Sequence, residues 1–300
     1  MNHLRAKNLM VTKLNKMTTI DVPEINLEDF STYSTRDIMD ICKFNPIEEI
    51  EVDIGSVEGL RYFKARNLLK DPLALRQFLR QFPAENREKS SEEGMSFSGS
   101  SSPGLQQPIE RSFLKYMGYQ IYTICRQFDF LKYKAKDINW RYYTNYYYNG
   151  MTAFNRNYLP HVDPFSYAAN IFLTDSGEHG TSFFKYVDPE TKKSYYSMGD
   201  IMSSGDKISR RYVEVIQEKY GYELANPEHI LNKKGYGLYQ CKNGVSPWIK
   251  YEGDDCYQRY YHLPSDYNSI SMYRGNRWHS ATFDAENSKT GRYSLVACIL

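Results

Sequence analysis

The chain lacks a surplus of either charge: 38 lysines and arginines stand against 36 aspartates and glutamates in 300 residues. So even a balance leaves no basic stripe to follow a phosphate backbone, and nucleic acid is not expected as a partner. Long apolar runs are also missing. None approaches the roughly 20 residues that a membrane helix needs, so no membrane span is expected. Cysteine is scarce. Cys42, Cys125, Cys241, Cys256 and Cys298 are five, widely spaced and free of any CxxC pair. An odd, scattered set speaks for free buried thiols in a reducing compartment, read here as the cytoplasm. The first twenty residues carry Arg5, Lys7, Lys13 and Lys16 with no acid before Asp21. They lack the apolar core of a secretory signal and read as a loose basic lead-in.

What the chain has in excess is tyrosine, 28 in all, with Tyr142, Tyr143, Tyr146, Tyr147 and Tyr148 close together. Such a cluster can stack bases in single-strand binders, but without a basic groove interior packing is the better reading. A chain of this length buries about three quarters of its unfolded surface, so it needs no covalent staple.

After a loose segment over 1–27, a helix is expected from Ser34 to Phe44, capped by Ser34 or Thr35. The strict alternation of Glu49 to Ile54 predicts a half-buried strand, with Leu60 to Leu69 as its partner. Asp71-Pro72 reads as N-cap and first-turn proline of a helix that Pro83 stops. Residues 84–107 are rich in serine and glycine, too polar to order themselves, and read as a mobile lid. Pro108 opens the longest helical pattern, with Ile109, Phe113, Met117, Ile121, Ile124 and Phe128 on one stripe. That stripe needs a sheet to lie on. Strands are expected at 138–148, Tyr167–Thr174, Thr181–Val187, Ser269–Arg274, Arg277–Asp284 and Arg292–Ile299. An insertion over 188–262 holds a helix near Ile208–Tyr220. The whole reads as one integrated domain: a helical support region over 28–137, then a β core over 138–300. By class it is α+β, or mainly β with a helical buttress.

The residues with chemistry in them are few. His161 and Asp163 lie two apart, bracketed by Pro160 and Pro164 at a strand end, where side chains escape the ladder. On its own, a histidine near an aspartate is more often an ion pair. Further on come His279 and then Arg292 and Ser294, a fixed cation and a hydroxyl on one face of the last strand. An arginine fork beside a hydroxyl is a good receptor for a carboxylate. Two imidazoles and one carboxylate around an open face suit a non-haem Fe(II) centre. His179, His229 and His262 have blander readings, the first two as solvated residues and the third as packing.

In this order, HxD, a distal histidine and a later arginine, the residues resemble the Fe(II)- and 2-oxoglutarate-dependent oxygenases, nearest in style to prolyl hydroxylases. The resemblance covers 138–300 and implies a double-stranded β-helix (jelly-roll, cupin-like) core. Gly180 to Phe183 resembles the start of that fold's fourth strand. The resemblance implies that His161, Asp163 and His279 hold the iron. It implies that Arg292 and Ser294 hold the far carboxylate of 2-oxoglutarate, with Tyr148, Tyr146 and Asn170 as further contacts. Dioxygen completes the co-substrates. Asp163 is present where related halogenases carry a small residue, which favours hydroxylation, desaturation or ring closure. The gap from His279 to Arg292 and the 188–262 insertion are both longer than in prolyl hydroxylases, so substrate class does not carry over.

Arg277 shares the parity of His279. With Arg274 and Arg141 it suggests a small, anionic, amino-acid-like substrate, of the kind that kainoid synthases close into rings. Two alternatives stand beside this. One is a peptidyl or prolyl hydroxylase that grips a protein; the other is a β-helix binding module without turnover or a zinc site, since zinc accepts the same donors.

Overall fold

In the computed structural model, residues 34–79, 85–86, 100–102, 108–132, 140–147, 156–158, 160–163, 165–174, 180–220, 222–224, 239–241, 248–250, 252–282 and 292–299 are described. The architecture is mixed α/β with antiparallel sheets. Helices α1 (Thr35–Ile41), α2 (Pro72–Leu79) and α3 (Pro108–Gln127) lie in the first half; α4 (Met198–Ser203) and α5 (Asp206–Tyr220) lie in the second. The strands are β1 (Glu51–Val57), β2 (Leu60–Arg66), β3 (Glu85–Asn86), β4 (Ser100–Ser102), β5 (Trp140–Tyr147), β6 (Arg156–Tyr158), β7 (Tyr167–Phe172) and β8 (Gly180–Val187). They continue with β9 (Ser194–Tyr195), β10 (Tyr222–Leu224), β11 (Tyr239–Cys241), β12 (Trp248–Lys250), β13 (Tyr257–Pro264), β14 (Ser269–Tyr273), β15 (His279–Thr282) and β16 (Arg292–Ile299). No helix among the described residues is long and apolar enough to cross a membrane.

Local chemistry accounts for the element ends. Ser34 and Asp37 form a reciprocal capping box on α1, and Ser197 and Asp200 repeat it on α4. Asp71 Oδ1 accepts from the amide of Ala74 at the start of α2, as the Asp-Pro pair predicts. The β1–β2 hairpin turns on Glu58 and Gly59, both at positive φ, the geometry of a two-residue loop.

The largest sheet among the described residues has the order β1-β2-β14-β7-β16-β5-β4-β3 and a second is β13-β8-β15, with β9 beside β8; β10-β11 and β12-β6 form two small pairs. Alternation sorts the large sheet's two faces. Phe63, Ala65, Ala169, Ile171, Ile270, Met272, Leu295 and Ala297 pack under α1–α3, where Met117, Ile121 and Ile124 of α3 bury the expected stripe. The opposite parity, Tyr62, Ala168, Tyr273, Val296 and Cys298, meets Phe183 and Leu263 of the second sheet. That sheet's outer face carries Phe184, Tyr186, Tyr257 and the adjoining Trp278 against α4 and α5. At about 1.5–3 kcal/mol per fully buried large apolar side chain, these layers dominate the stability.

Several boundaries differ from the sequence expectation. The strand expected from Glu49 begins at Glu51, because Ile47–Glu49 close a short 3-10 turn first. β13 lies at the end of the stretch assigned to the insertion and pairs with β8 along its length. Within 84–107, β3 and β4 continue the large sheet beyond β5; the rest of that segment, with the lid role given to it, lies outside the described residues. Cys42, Cys125, Cys256 and Cys298 are buried and in no disulfide among the described residues.

Candidate active site

Two chain segments, 160–163 and 275–279, meet beside β15. His161 and His279 are bridge partners. Each amide donates to the other's carbonyl at 2.9 Å. This is the hydrogen-bonded pair of an antiparallel ladder, whose two side chains leave the same face, so the backbone itself puts two imidazoles side by side. Their ring centroids are 4.5 Å apart. Asp163 reaches both: its Oδ1 lies 3.6 Å from His161 Nε2 and its Oδ2 lies 3.2 Å from His279 Nε2. One ligand atom from each of the three side chains lies within 4.8 Å of the others.

Supporting contacts aim these groups. The amide of Asp163 donates to the carbonyl of Gly275 at 2.8 Å. A Cβ on Gly275 would stand 2.5 Å from the Phe165 carbonyl oxygen and 3.0 Å from Asp163 Cβ, so only glycine lets these segments approach. His279 Nδ1 lies 2.8 Å from the carbonyl of Arg277. A carbonyl can only accept, so Nδ1 carries a proton and Nε2 is the nitrogen that faces Asp163, able to donate to the carboxylate or, once deprotonated, to ligate a metal. Trp278, fully buried, anchors the same segment from the other side, its ring 5.4 Å from that of Tyr212 on α5 and 5.6 Å from that of Tyr257.

The electrostatics agree with this geometry. Burial pushes the Asp163 carboxyl up, but the charge and hydrogen bond of His279, with the charge of His161, more than offset it and hold the group below its ordinary range. Burial pushes His279 down; the charge and hydrogen bond of Asp163, then the Arg277 carbonyl, reverse this and raise it. An ionised carboxylate between two imidazoles is a donor set that suits Fe(II) or Zn(II).

Aromatic side chains wall the site. Tyr273 and Phe183 stand 5.2 Å and 6.2 Å from His279 by ring centroid, and Tyr261 stacks on Tyr62 at 5.2 Å. Tyr273 was missed by sequence reasoning: it ends a strand of ordinary composition, and only the packing of the two sheets brings it to a histidine. Asn170, a named candidate, is buried and donates through Nδ2 to Tyr273 Oη at 3.2 Å.

The other candidates divide. Ser294 is fully buried on the face between the sheets, and its Oγ has no partner among the described residues. Arg292 begins β16 opposite Tyr147, and Tyr146 pairs with Tyr293, a residue of the helix-side core. Position 147, rather than 146, thus stands across from Arg292. Tyr148 lies outside the described residues. Arg141 occupies the position opposite Cys298. Arg274 is exposed, its guanidinium 6.0 Å from the centre of the Tyr167 ring, and Tyr167 belongs to the helix-side core. Arg277 donates through Nη2 to the carbonyl of Gly59 in the β1–β2 turn at 2.7 Å. The two described arginine side chains expected to read an anionic substrate are engaged by other parts of the fold. His262 lies 3.2 Å from Ser182 Oγ through Nδ1.

No family model matches this sequence, and no curated protein matches it. Among solved structures, the non-heme alpha ketoglutarate dependent carbocyclase SnoK from nogalamycin biosynthesis is 10% identical with a TM-score of 0.39, over 79% of this chain and 78% of that one. The non-heme alpha ketoglutarate dependent epimerase SnoN from the same biosynthesis is 11% identical with a TM-score of 0.34, over 75% and 69%. EvdO2 from Micromonospora carbonacea var. aurantiaca, complexed with 2-oxoglutarate, is 9% identical with a TM-score of 0.29, over 65% and 60%.

Proposed function

We propose that this chain is a non-haem Fe(II)- and 2-oxoglutarate-dependent oxygenase that oxidises a C–H bond of a small molecule. The convergence of His161, Asp163 and His279 carries the reading. Three donors of that type occupy one side of a metal and leave the other side for exchangeable ligands, the facial arrangement of this chemistry. The core strand orders, β5-β16-β7-β14 within the large sheet against β15-β8-β13, support a double-stranded β-helix, with the 161–279 bridge extending the second sheet beyond β15.

Iron bound there supplies the redox chemistry that couples dioxygen and 2-oxo acid consumption to C–H oxidation. The chain's own residues do the rest. His161 Nε2, Asp163 and His279 Nε2 hold the metal, and the Arg277 carbonyl fixes the tautomer of His279. Arg292 and Ser294 are proposed to receive the far carboxylate of 2-oxoglutarate; the orphaned, buried Oγ of Ser294 supports a polar occupant on that face. Phe183, Tyr273, Tyr62 and Tyr261 keep bulk water from the reacting centre. Substrate oxidation is read as hydroxylation or ring closure, and the partner as a small molecule.

The test is anaerobic titration of the purified protein with Fe(II) and 2-oxoglutarate. A weak visible charge-transfer band is expected in the wild type and absent in His279→Ala, with succinate released on aeration. A wild type that binds Zn(II) tightly and yields neither band nor succinate would point to a zinc site instead, and the oxygenase assignment would fall.

A further inference from the structure

The tip of the β1–β2 hairpin presents two acceptors to one place in the second half of the chain. Glu58 and Gly59 stand at φ 50° and 73°, the left-handed geometry that a two-residue turn requires. From this turn the Glu58 carboxylate accepts from Tyr196 Oη at 2.8 Å, and the Gly59 carbonyl accepts from Arg277 Nη2 at 2.7 Å. The two donors are neighbours, because Ser197, next to Tyr196, is the bridge partner of Arg277. The tip is thus fastened where the segment leading into His279 meets the N-cap of α4. A Cβ on Gly59 would stand 3.2 Å from Arg277 Nη2, so the turn and the guanidinium are in close contact.

Arg277 is held at its far end by the hairpin while its own carbonyl holds a proposed metal ligand, His279 Nδ1, at 2.8 Å. The residues after it are pinned by backbone alone. The Trp278 carbonyl accepts from the Phe184 amide at 2.9 Å, and His279 exchanges both bonds with His161. Arg277 has no such support: its amide meets the Arg274 carbonyl only at 3.5 Å, a weak contact. Of the hydrogen bonds it makes among the described residues, the tie to Gly59 is the shortest. Charge would act the other way. A guanidinium beside a site for a cation weakens metal binding, since like charges repel, whereas a strut that aims His279 strengthens it. The two roles have opposite signs.

We propose that Arg277 is a positioning residue for the metal centre and that the β1–β2 tip is the strut that sets it. The inference rests on the metal-binding part of the oxygenase reading and goes beyond it. A hairpin far upstream of all three ligands completes their geometry. Removing the partner of a metal-bound histidine's second ring nitrogen typically costs about 10–100-fold in metal affinity. Here that partner is a backbone carbonyl, which no substitution deletes, so it is reached through the Arg277 side chain. One exposed hydrogen bond adds little to global stability, so its loss is expected to fall on the metal and not on the fold.

Calorimetric Mn(II) binding and NMR of the metal-free protein test this on the full chain. Arg277→Met is expected to weaken Mn(II) about tenfold, with little change in melting temperature. Arg277→Lys, which can still donate to the Gly59 carbonyl, is expected to recover most of that affinity. Gly59→Ala is expected to weaken Mn(II) as well, because it displaces the guanidinium and keeps its charge. In the metal-free protein, the proton on His279 Nδ1 is expected to exchange with water faster in Arg277→Met than in wild type, which loss of a charge alone would not produce. Mn(II) affinity unchanged or tighter in Arg277→Met, with that proton as protected as before, overturns the proposal and leaves Arg277 as a tie between surface segments. Should Arg277→Met fail to fold, wild-type affinity and exchange in Gly59→Ala would overturn it equally. A wild type that takes up no Mn(II) would instead sink the metal-site reading, and the proton-exchange arm, which needs no metal, would still decide the role of Arg277.

Discussion

His161 and His279 exchange both of their backbone hydrogen bonds, at 2.9 Å each way, so the pair that faces the proposed metal is also a rung of the sheet. The rung does not depend on either imidazole. His161→Ala is therefore expected to keep the fold, with a melting temperature within a few degrees of wild type, while Mn(II) affinity measured by calorimetry falls at least about 100-fold, as loss of a direct metal ligand would produce. A variant that binds Mn(II) as tightly as wild type would remove His161 from the ligand set.

Gly275 should be as intolerant as the ligands themselves. Its carbonyl takes the Asp163 amide, and a methyl group there would collide with the Phe165 carbonyl. Gly275→Ala is expected to lower stability by about 1–3 kcal/mol, the range for overpacking, and to weaken metal binding as Asp163 is pushed from its place. Chemical denaturation and Mn(II) titration on the same sample would check both effects; a shift in one without the other would separate the strut from the site.

Tyr273→Phe keeps the ring against His279 and removes only the hydroxyl that accepts from Asn170. The buried amide is left short of a partner, at a cost of about 1–3 kcal/mol. Denaturant midpoints should show that loss with metal affinity unchanged. If metal affinity collapsed, Tyr273 would have to be a ligand-positioning group rather than a wall.

The acid limb of stability is expected to run through Asp188. Burial pushes its carboxyl up, but hydrogen bonds from the Thr191 amide and hydroxyl, then Arg211, outweigh this and hold it below the usual range. A depressed carboxyl contributes stability that is complete above its unfolded value near 4 and is lost as pH falls through the lower folded value. Asp188→Asn should accordingly be less stable at pH 7 by about 3 kcal/mol, the order found when a buried pair is broken. It should also show a shallower decline below pH 4. Parallel declines in the two proteins would remove Asp188 from the acid response.

What could be read in the chain follows the reach of its interactions. Caps and short periods are set by neighbours a few residues apart. Thus the cap at Ser34, the Asp71-Pro72 start, the stripe on α3 and the approximate positions of β7, β8, β14 and β16 were all legible in the order of side chains. So were the chemical types at 161, 163, 279, 292 and 294. Register is a different matter, because sliding a strand by one residue exchanges its faces, and the choice is made by partners far away in sequence. The approach of His161 to His279, the place of Tyr147 opposite Arg292, and the capture of Arg277 by the β1–β2 turn were decided there. The amino acids at each position determined which chemistry was possible. Which of them share a cavity was settled only when two sheets closed on each other and the buried polar groups had to find partners.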